Sequence, residues 1–273
     1  MAALDLGDPD RPFDLVFVHA NGFNARTYLE LLRPLSETHR ILAPDLRGHG
    51  RTDLSTSTEA RRGWDDHAED LAALLDHVGG PSPVLAGHSM GGTSGLLAAA
   101  RRPDRVASLV LLDPVIWSRG AALAFRLPVL RRLPERIPLV TGALRRRRRF
   151  DDRDQAFLAY RGRGAFRNWP DRMLSDYLED GLTEDPEGGL TLACAPEWEA
   201  SNYAVQGHDP WKALDRIGGR VRILKADVGS TCHAGPDTRQ GRRVEVVREG
   251  THFFPMVQPD IACAALADAL GGR

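Results

Sequence analysis

The stretch LAGHSMGGTSG, residues 85–95, sets one hydroxyl among glycines: Ser89 lies two residues after Gly87 and two before Gly91. An apolar run precedes it and a small-residue pattern of helical character comes after it, so the serine is expected on a tight strand-to-helix turn. Such a turn strains the backbone and leaves no room for side chains beside the serine, which accounts for the glycines. The Oγ then stands at a helix N-terminus, where the backbone N–H of Met90 is available to an oxyanion and the helix dipole favours negative charge. That arrangement suits a nucleophile attacking a carbonyl. Outside that context, G-x-S-x-G is only a glycine-rich turn with an incidental serine.

The elements that must hold this turn are legible as alternating patterns. Short apolar runs occur in DLVFVHANG from Asp14, RILAPDLRGHG from Arg40, SPVLAGHS from Ser82, VASLVLLDP from Val106, VRILKAD from Val221 and RVEVVREGTH from Arg243. Runs of this length suit strands buried on both faces. Helical periods fall between the early ones, in ARTYLELLRPL, WDDHAEDLAALLDHV and GGTSGLLAAARR, and QPDIACAALADAL closes the chain. Alternation of this kind predicts an α/β fold, a mostly parallel central sheet with helices on both faces. The alternation stops between the fourth and fifth runs. Residues 115–220 carry helical patterns, prolines and most of the tryptophans, too much for a connection, and are expected to form an inserted helical cap over a core of residues 1–114 and 221–273.

Composition narrows the partners. Of 273 residues, 42% are hydrophobic and 27% charged, as in ordinary globular domains, and the formal net charge of −1 gives no global attraction to nucleic acid or to an anionic membrane. The tract of five arginines, 145–149, is followed by FDDRD and is expected to be a solvated helix face. Three separated cysteines suggest neither a disulfide framework nor a zinc site. The N-terminal residues lack the basic start and apolar core of a secretory signal, and no apolar run is long enough to span a bilayer, so a cytoplasmic location is expected.

Four segments in order resemble the α/β-hydrolase fold superfamily, and the resemblance covers nearly the whole chain. They are FVHANGF after the first buried strand, PDLRGHGRTD after the next, GHSMG, and EGTHFFPMVQPD before the last helix. The resemblance implies that Asn21, two residues after His19, supplies a second backbone N–H to the oxyanion hole beside Met90. It also implies that His252 is the general base, since it follows the last strand and comes after Ser89 in the family's order of serine, acid, histidine. His19 is expected to shape the oxyanion loop, and His49 and His88 to pack or hydrogen-bond nearby.

The acid is harder to place. The family usually carries it on the loop after the strand VRILKAD, where the corresponding position here is Gly229 and the nearest carboxylate, Asp227, comes two residues early. Some members carry it after the strand following the nucleophile's helix. That strand ends here in LVLLDPV, so Asp113 is expected and Asp227 is the alternative. The hairpin that usually opens the fold is expected to be shortened or absent, because only a dozen residues precede the first buried strand. A serine in place of a nucleophilic aspartate sets the chain apart from the haloalkane dehalogenases and epoxide hydrolases of the same fold.

The resemblance implies a serine hydrolase with no metal and no organic cofactor, acting on a carboxylic ester of a small or medium apolar molecule. Amide, lactone or carbon–carbon bond hydrolysis would use the same residues. A ligand-binding protein that kept the fold without turnover is the reading of another class, supported by the missing carboxylate at Gly229. Trp117, Phe166, Trp169, Tyr177 and Trp198 are candidates both for an apolar substrate pocket and for ordinary core packing.

Overall fold

In the computed structural model, which describes residues 1–125, 137–237 and 241–272, the early apolar runs form strands. In chain order the strands are β1 (Ala3–Leu6), β2 (Leu15–Val18), β3 (Ile41–Pro44), β4 (Val84–His88), β5 (Ser108–Leu112), β6 (Arg149–Phe150), β7 (Leu182–Glu184), β8 (Leu190–Leu192), β9 (Val221–Val228) and β10 (Arg243–Thr251). Seven of them make one sheet in the order β1-β3-β2-β4-β5-β9-β10. All its neighbours pair in parallel except β1, which runs antiparallel to β3. β1 is what stands in place of an opening hairpin.

Side chains along the central strands alternate between two cores. Leu15, Phe17, Val84, Ala86, Val110 and Leu112 join one apolar cluster, while Val16, Val18, Leu85, Leu109 and Leu111 join the other. This is the period of two in a sheet covered on both faces, and it explains why these strands read as unbroken apolar runs. On the first face lie α1 (Leu29–Ser36), the short α10 (Phe254–Val257) and α11 (Pro259–Gly271); on the second lie α2 (Asp65–Val78) and α3 (Met90–Arg101). In α2 the buried residues Ala68, Leu71, Ala72 and Leu75 form one stripe, Asp65 and Asp66 favour the positive N-terminal end, and Gly79 at φ 64° ends the helix. α3 is buried along nearly its whole length, which its glycines, alanines and small polar residues permit.

Three features differ from the sequence reading. β10 is an edge strand and is largely exposed, so its apolar run is one of half-covered side chains. The segment 115–220, of which residues 126–136 lie outside the described residues, is not purely helical. It contains α4 (Arg119–Ala124), α5 (Pro138–Leu144), α6 (Arg153–Tyr160), α7 (Asp171–Gly181), α8 (Pro196–Ala204) and α9 (Pro210–Ile217), together with the antiparallel sheet β6-β8-β7. Those strands are two or three residues long and give no periodic signal. The C-terminal part of the segment also belongs to the main core, because Ala213, Leu214 and Ile217 of α9 pack in the cluster that contains α3.

The arginine tract runs from the end of α5 into β6, and one member turns inward. Arg146 is largely buried and donates to Glu199 and to the hydroxyls of Tyr177 (2.9 Å) and Tyr160 (3.3 Å). Arg148 pairs with Glu197 and Arg149 with Glu187 on the surface, while Arg149 also meets the buried carboxylate of Asp185. The expected solvated helix face is thus corrected twice: none of the five arginines is helical, because α5 ends at Leu144 and the tract leads into β6, and Arg146 turns inward while its neighbours are exposed.

Candidate active site

The parallel strands β2, β4, β5 and β10 end at one edge of the sheet, and a candidate residue follows each end. Ser89 follows β4 and caps α3 with φ 53° and ψ −122°, a conformation side chains rarely adopt. The flanking glycines are required by close approach. A Cβ on Gly87 would lie 2.7 Å from the backbone of Gly91, and a Cβ on Gly91 would lie 2.2 Å from the carbonyl oxygen of His19. Ser89 N–H donates to Leu112 O at 3.0 Å, tying the turn to β5. Met90 is the first residue of α3, so its N–H has no acceptor within the helix.

His252 follows β10, whose register against β9 shifts between Val247 and Thr251 and whose Glu249 sits at φ 57°. Such an irregularity bends a strand and re-aims the residues beyond it. His252 Nε2 lies 2.9 Å from Ser89 Oγ, and Nδ1 lies 2.6 Å from Asp113 Oδ2. A carboxylate can only accept, so Nδ1 carries the proton and Nε2 is left to accept from the serine hydroxyl.

Asp113 follows β5 at φ 40° and is fully buried. Its Oδ1 accepts from Ala226 N–H (2.9 Å) and the Ser230 hydroxyl (2.5 Å), and its Oδ2 accepts from Thr231 N–H (3.2 Å) as well as from His252. Burial alone would raise its pKa. The bond and charge of His252, with Ser230 and Ala226, outweigh burial and hold it at about 2. Asp227 is exposed and accepts from Glu249 N–H at 3.3 Å, while Gly229 stands in the left-handed region at φ 67°. The end of β9 and the loop after it thus supply donors to a carboxylate that follows the neighbouring strand β5. Ser230 and Thr231 carry no sequence signal for this role; it depends on β5 pairing with β9.

Around the loop after β2, buried histidines make backbone contacts that fix their tautomers. His19 Nδ1–H donates to Ala20 O (2.7 Å) and Nε2 accepts from Leu46 N–H (2.8 Å). His49 Nδ1–H donates to Arg47 O and Nε2 accepts from Gly22 N–H (3.1 Å). Asn21 is held by its side chain, whose Nδ2 donates to Glu199 O (3.0 Å) and whose Oδ1 accepts from Asn202 Nδ2 (2.9 Å). Asn202 in turn accepts from His67 Nε2 at 3.2 Å.

Burial drives the pKa of all these histidines down: His19 is lowered, His49 falls well below the usual value, and His67 drops to about 4. Below pH 6.5 the unfolded chain therefore binds protons that the folded chain refuses, so stability falls as pH falls from about 6.5 towards 4. His67→Gln keeps a donor for Asn202 and removes one such group. Its unfolding free energy in urea is expected to drop by about 2 kcal/mol less than wild type between pH 7 and pH 5. Equal pH slopes in the two proteins would contradict this account.

Of the five aromatics that are candidates for a pocket or for core packing, three come together in the core. Phe166, Trp169 and Tyr177 surround Phe23, at centroid distances of 6.2, 5.1 and 5.7 Å. Phe253 joins them, 6.2 Å from Phe23 and 5.4 Å from the His252 ring. Phe23 and Phe253 carry no motif of their own in the sequence, although they lie beside the loop residues Asn21 and His252. Trp117 and Trp198 pack elsewhere. Trp117 lies against Phe125 and His233 and donates to Gln206; Trp198 lies under Arg61 and donates to Arg47 O.

Among the described residues, no group of three or more His, Cys, Asp or Glu is placed to hold a metal ion, and no helix is long and apolar enough to cross a membrane.

The sequence model of the Alpha/beta hydrolase family matches residues 15–266, most of the chain. The chain belongs to that family. Two relatives of this α/β-hydrolase match it along nearly their full lengths. Lipase LipV of Mycobacterium tuberculosis is 28% identical, covering 97% of this chain and 96% of that one. The 2-(acetamidomethylene)succinate hydrolase of Mesorhizobium japonicum is 35% identical, covering 93% and 86%. Among solved structures, E-2-(acetamidomethylene)succinate hydrolase superposes with a TM-score of 0.78 at 24% identity, over 98% of this chain and 94% of that one. These relatives support hydrolase activity, and the structural likeness shows the fold.

Proposed function

We propose that this α/β-hydrolase is a serine hydrolase that cleaves carboxylic esters of small or medium apolar molecules through an acyl-enzyme on Ser89. The observation that carries the reading is the unbroken chain from Ser89 Oγ through His252 to Asp113, at 2.9 and 2.6 Å. His252 takes the serine proton as Oγ attacks the carbonyl carbon, and Asp113 stabilises the imidazolium that results. The N–H groups of Met90 and Asn21 receive the oxyanion. His252 then returns the proton to the leaving alkoxide. Water, deprotonated by the same histidine, attacks the acyl carbon and frees Ser89.

The preference for apolar acyl groups is read from the apolar surroundings of His252: Phe253, against its ring, packs with Phe23, Phe166, Trp169 and Tyr177, which are buried in the core, and part of this cluster comes from the segment 115–220, which we read as a cap over the carboxyl edge of the sheet. A lipase among the full-length relatives agrees with an ester substrate. A non-catalytic binding protein would draw its support from Gly229, and the contact of Asp113 with His252 favours the enzyme reading over it. A cytoplasmic location and a small-molecule substrate belong to the same proposal.

Aryl esters of graded acyl length test the reading. A burst of one equivalent of phenol per chain is expected, with kcat/KM highest for short to medium straight-chain acyl groups. Hydrolysis of amides or lactones in preference to every ester would move the substrate class and leave the serine chemistry standing. No turnover of any of these compounds by folded protein would contradict the proposal.

A further inference from the structure

A second buried hydrogen-bond chain runs beside the first and touches both halves of the catalytic machinery. The N–H of Ala20, next to Asn21, donates to Tyr28 Oη at 3.1 Å. Tyr28 Oη lies 2.8 Å from His88 Nδ1, and His88 Nε2 lies 2.8 Å from the carbonyl oxygen of His252. Tyr28 is 1% exposed and His88 0%, so no water competes for these contacts.

Donor and acceptor roles along this chain are fixed by elimination. The carbonyl of His252 can only accept, so His88 Nε2 carries a proton. Burial, aided by the charge of His252, lowers the His88 pKa to about 3, so the ring is neutral at working pH and Nδ1 is an acceptor. Tyr28 Oη must then donate to Nδ1, and its lone pair receives Ala20 N–H. Every bond points the same way, from the oxyanion loop to the histidine loop, through the residue that precedes Ser89.

We propose that Tyr28 and His88 are positioning residues that set the His252 base and the Asn21 oxyanion donor in register across the nucleophile. This rests on the serine-hydrolase reading above. One end of the chain anchors the backbone of His252, whose ring must meet Ser89. The other anchors the backbone beside Asn21, whose N–H must meet the oxyanion. Neither residue touches substrate. Because the stabilisation of developing charge depends on groups already in place, a displacement of about 1 Å at either end costs on the order of 100-fold in rate.

Tyr28→Phe removes the hydroxyl and keeps the ring against Phe17, 4.8 Å away. The expected result is a kcat lowered roughly 10- to 100-fold with KM within about twofold, since the lost alignment matters to the transition state and not to ground-state binding. His88→Gln keeps a donor near Nε2, but its one acceptor sits on the same terminal amide and leaves the Nδ1 position that Tyr28 faces empty. The double variant is expected to be no slower than the slower single one, as for two members of one unit. A kcat within twofold of wild type in Tyr28→Phe, or effects that multiply, would overturn the proposal. Histidine NMR on the wild-type protein gives a readout that needs no variant to fold: His88 is expected as the Nε2–H tautomer, and an Nδ1–H tautomer would also overturn it. Failure of wild-type Ser89 to react with a fluorophosphonate contradicts the serine mechanism and this role together; a reactive wild type with an unaffected Tyr28→Phe contradicts this role alone.

Discussion

Ser89→Ala is expected to lower ester turnover by about 10⁴- to 10⁶-fold while the protein stays folded, which is the loss seen when the nucleophile of a serine triad is removed and only oxyanion stabilisation and binding remain. The fold should persist because the substitution removes one oxygen. The backbone bond from residue 89 to Leu112 O does not depend on the side chain, and alanine at this turn meets the same φ of 53° that serine already tolerates. His252 and Asp113 keep their own contact. Measurement of kcat with the best ester, beside a thermal unfolding midpoint within a few degrees of wild type, checks both halves. Activity within about tenfold of wild type would remove Ser89 from the mechanism.

Asp113→Asn should cost about 10³- to 10⁴-fold in kcat, against a change of no more than about twofold for Asp227→Asn. The asymmetry follows from what each carboxylate meets. The donors around Asp113 are Ala226 N–H, the Ser230 hydroxyl, the N–H and hydroxyl of Thr231, and His252 Nδ1–H. An asparagine has one oxygen to offer where the aspartate has two. With its oxygen toward Ala226 and Ser230, its NH₂ faces His252, so Nδ1 must become an acceptor and the proton moves to Nε2, where it blocks the serine. Turned the other way, the NH₂ meets Ala226 N–H with no acceptor. Asp227 is exposed and touches Glu249 N–H, remote from this choice. Equal losses in the two variants, or a larger loss in Asp227→Asn, would contradict the assignment of the acid.

The turn that carries Ser89 is legible in the sequence because its requirements are local: strand, glycine, serine, glycine and helix lie close together along the chain. The carboxylate partner of His252 is not, because its contact with Asp113 spans 139 residues and depends on which strand lies beside β5. Sequence spacing leaves Asp227 as a rival to Asp113. Only the pairing of β9 against β5 sets Ala226 and the residues after it around the buried carboxylate. The sheet's interior strands are readable from unbroken apolar runs, since both faces are covered. β10 gives a similar run, yet it lies at an edge where Val246 is exposed, because the pattern reports apolarity and not the neighbour that covers it.

Arg146 shows the same limit within a charged tract. Its neighbours stay in water, but the hydroxyls of Tyr160 and Tyr177 and the carboxylate of Glu199 meet it from 14, 31 and 53 residues away, and composition cannot distinguish it from Arg145 or Arg147. Among the aromatics, the residues that gather near His252 are held by α7 and the turn before it, whereas Trp117 and Trp198 carry the same chemistry to other faces.

Covalent labelling by a fluorophosphonate, read by intact mass and by the modified peptide, tests the serine mechanism most directly. The reagent reacts with a serine only when a neighbouring base accepts its proton and oxyanion donors stabilise the attacked phosphorus centre. One adduct per chain is expected, on Ser89, forming in step with the loss of esterase activity. It should be absent in Ser89→Ala and slowed in Asp113→Asn. Folded wild-type protein that stays unmodified, or that is modified at another residue while ester hydrolysis continues, would contradict the account.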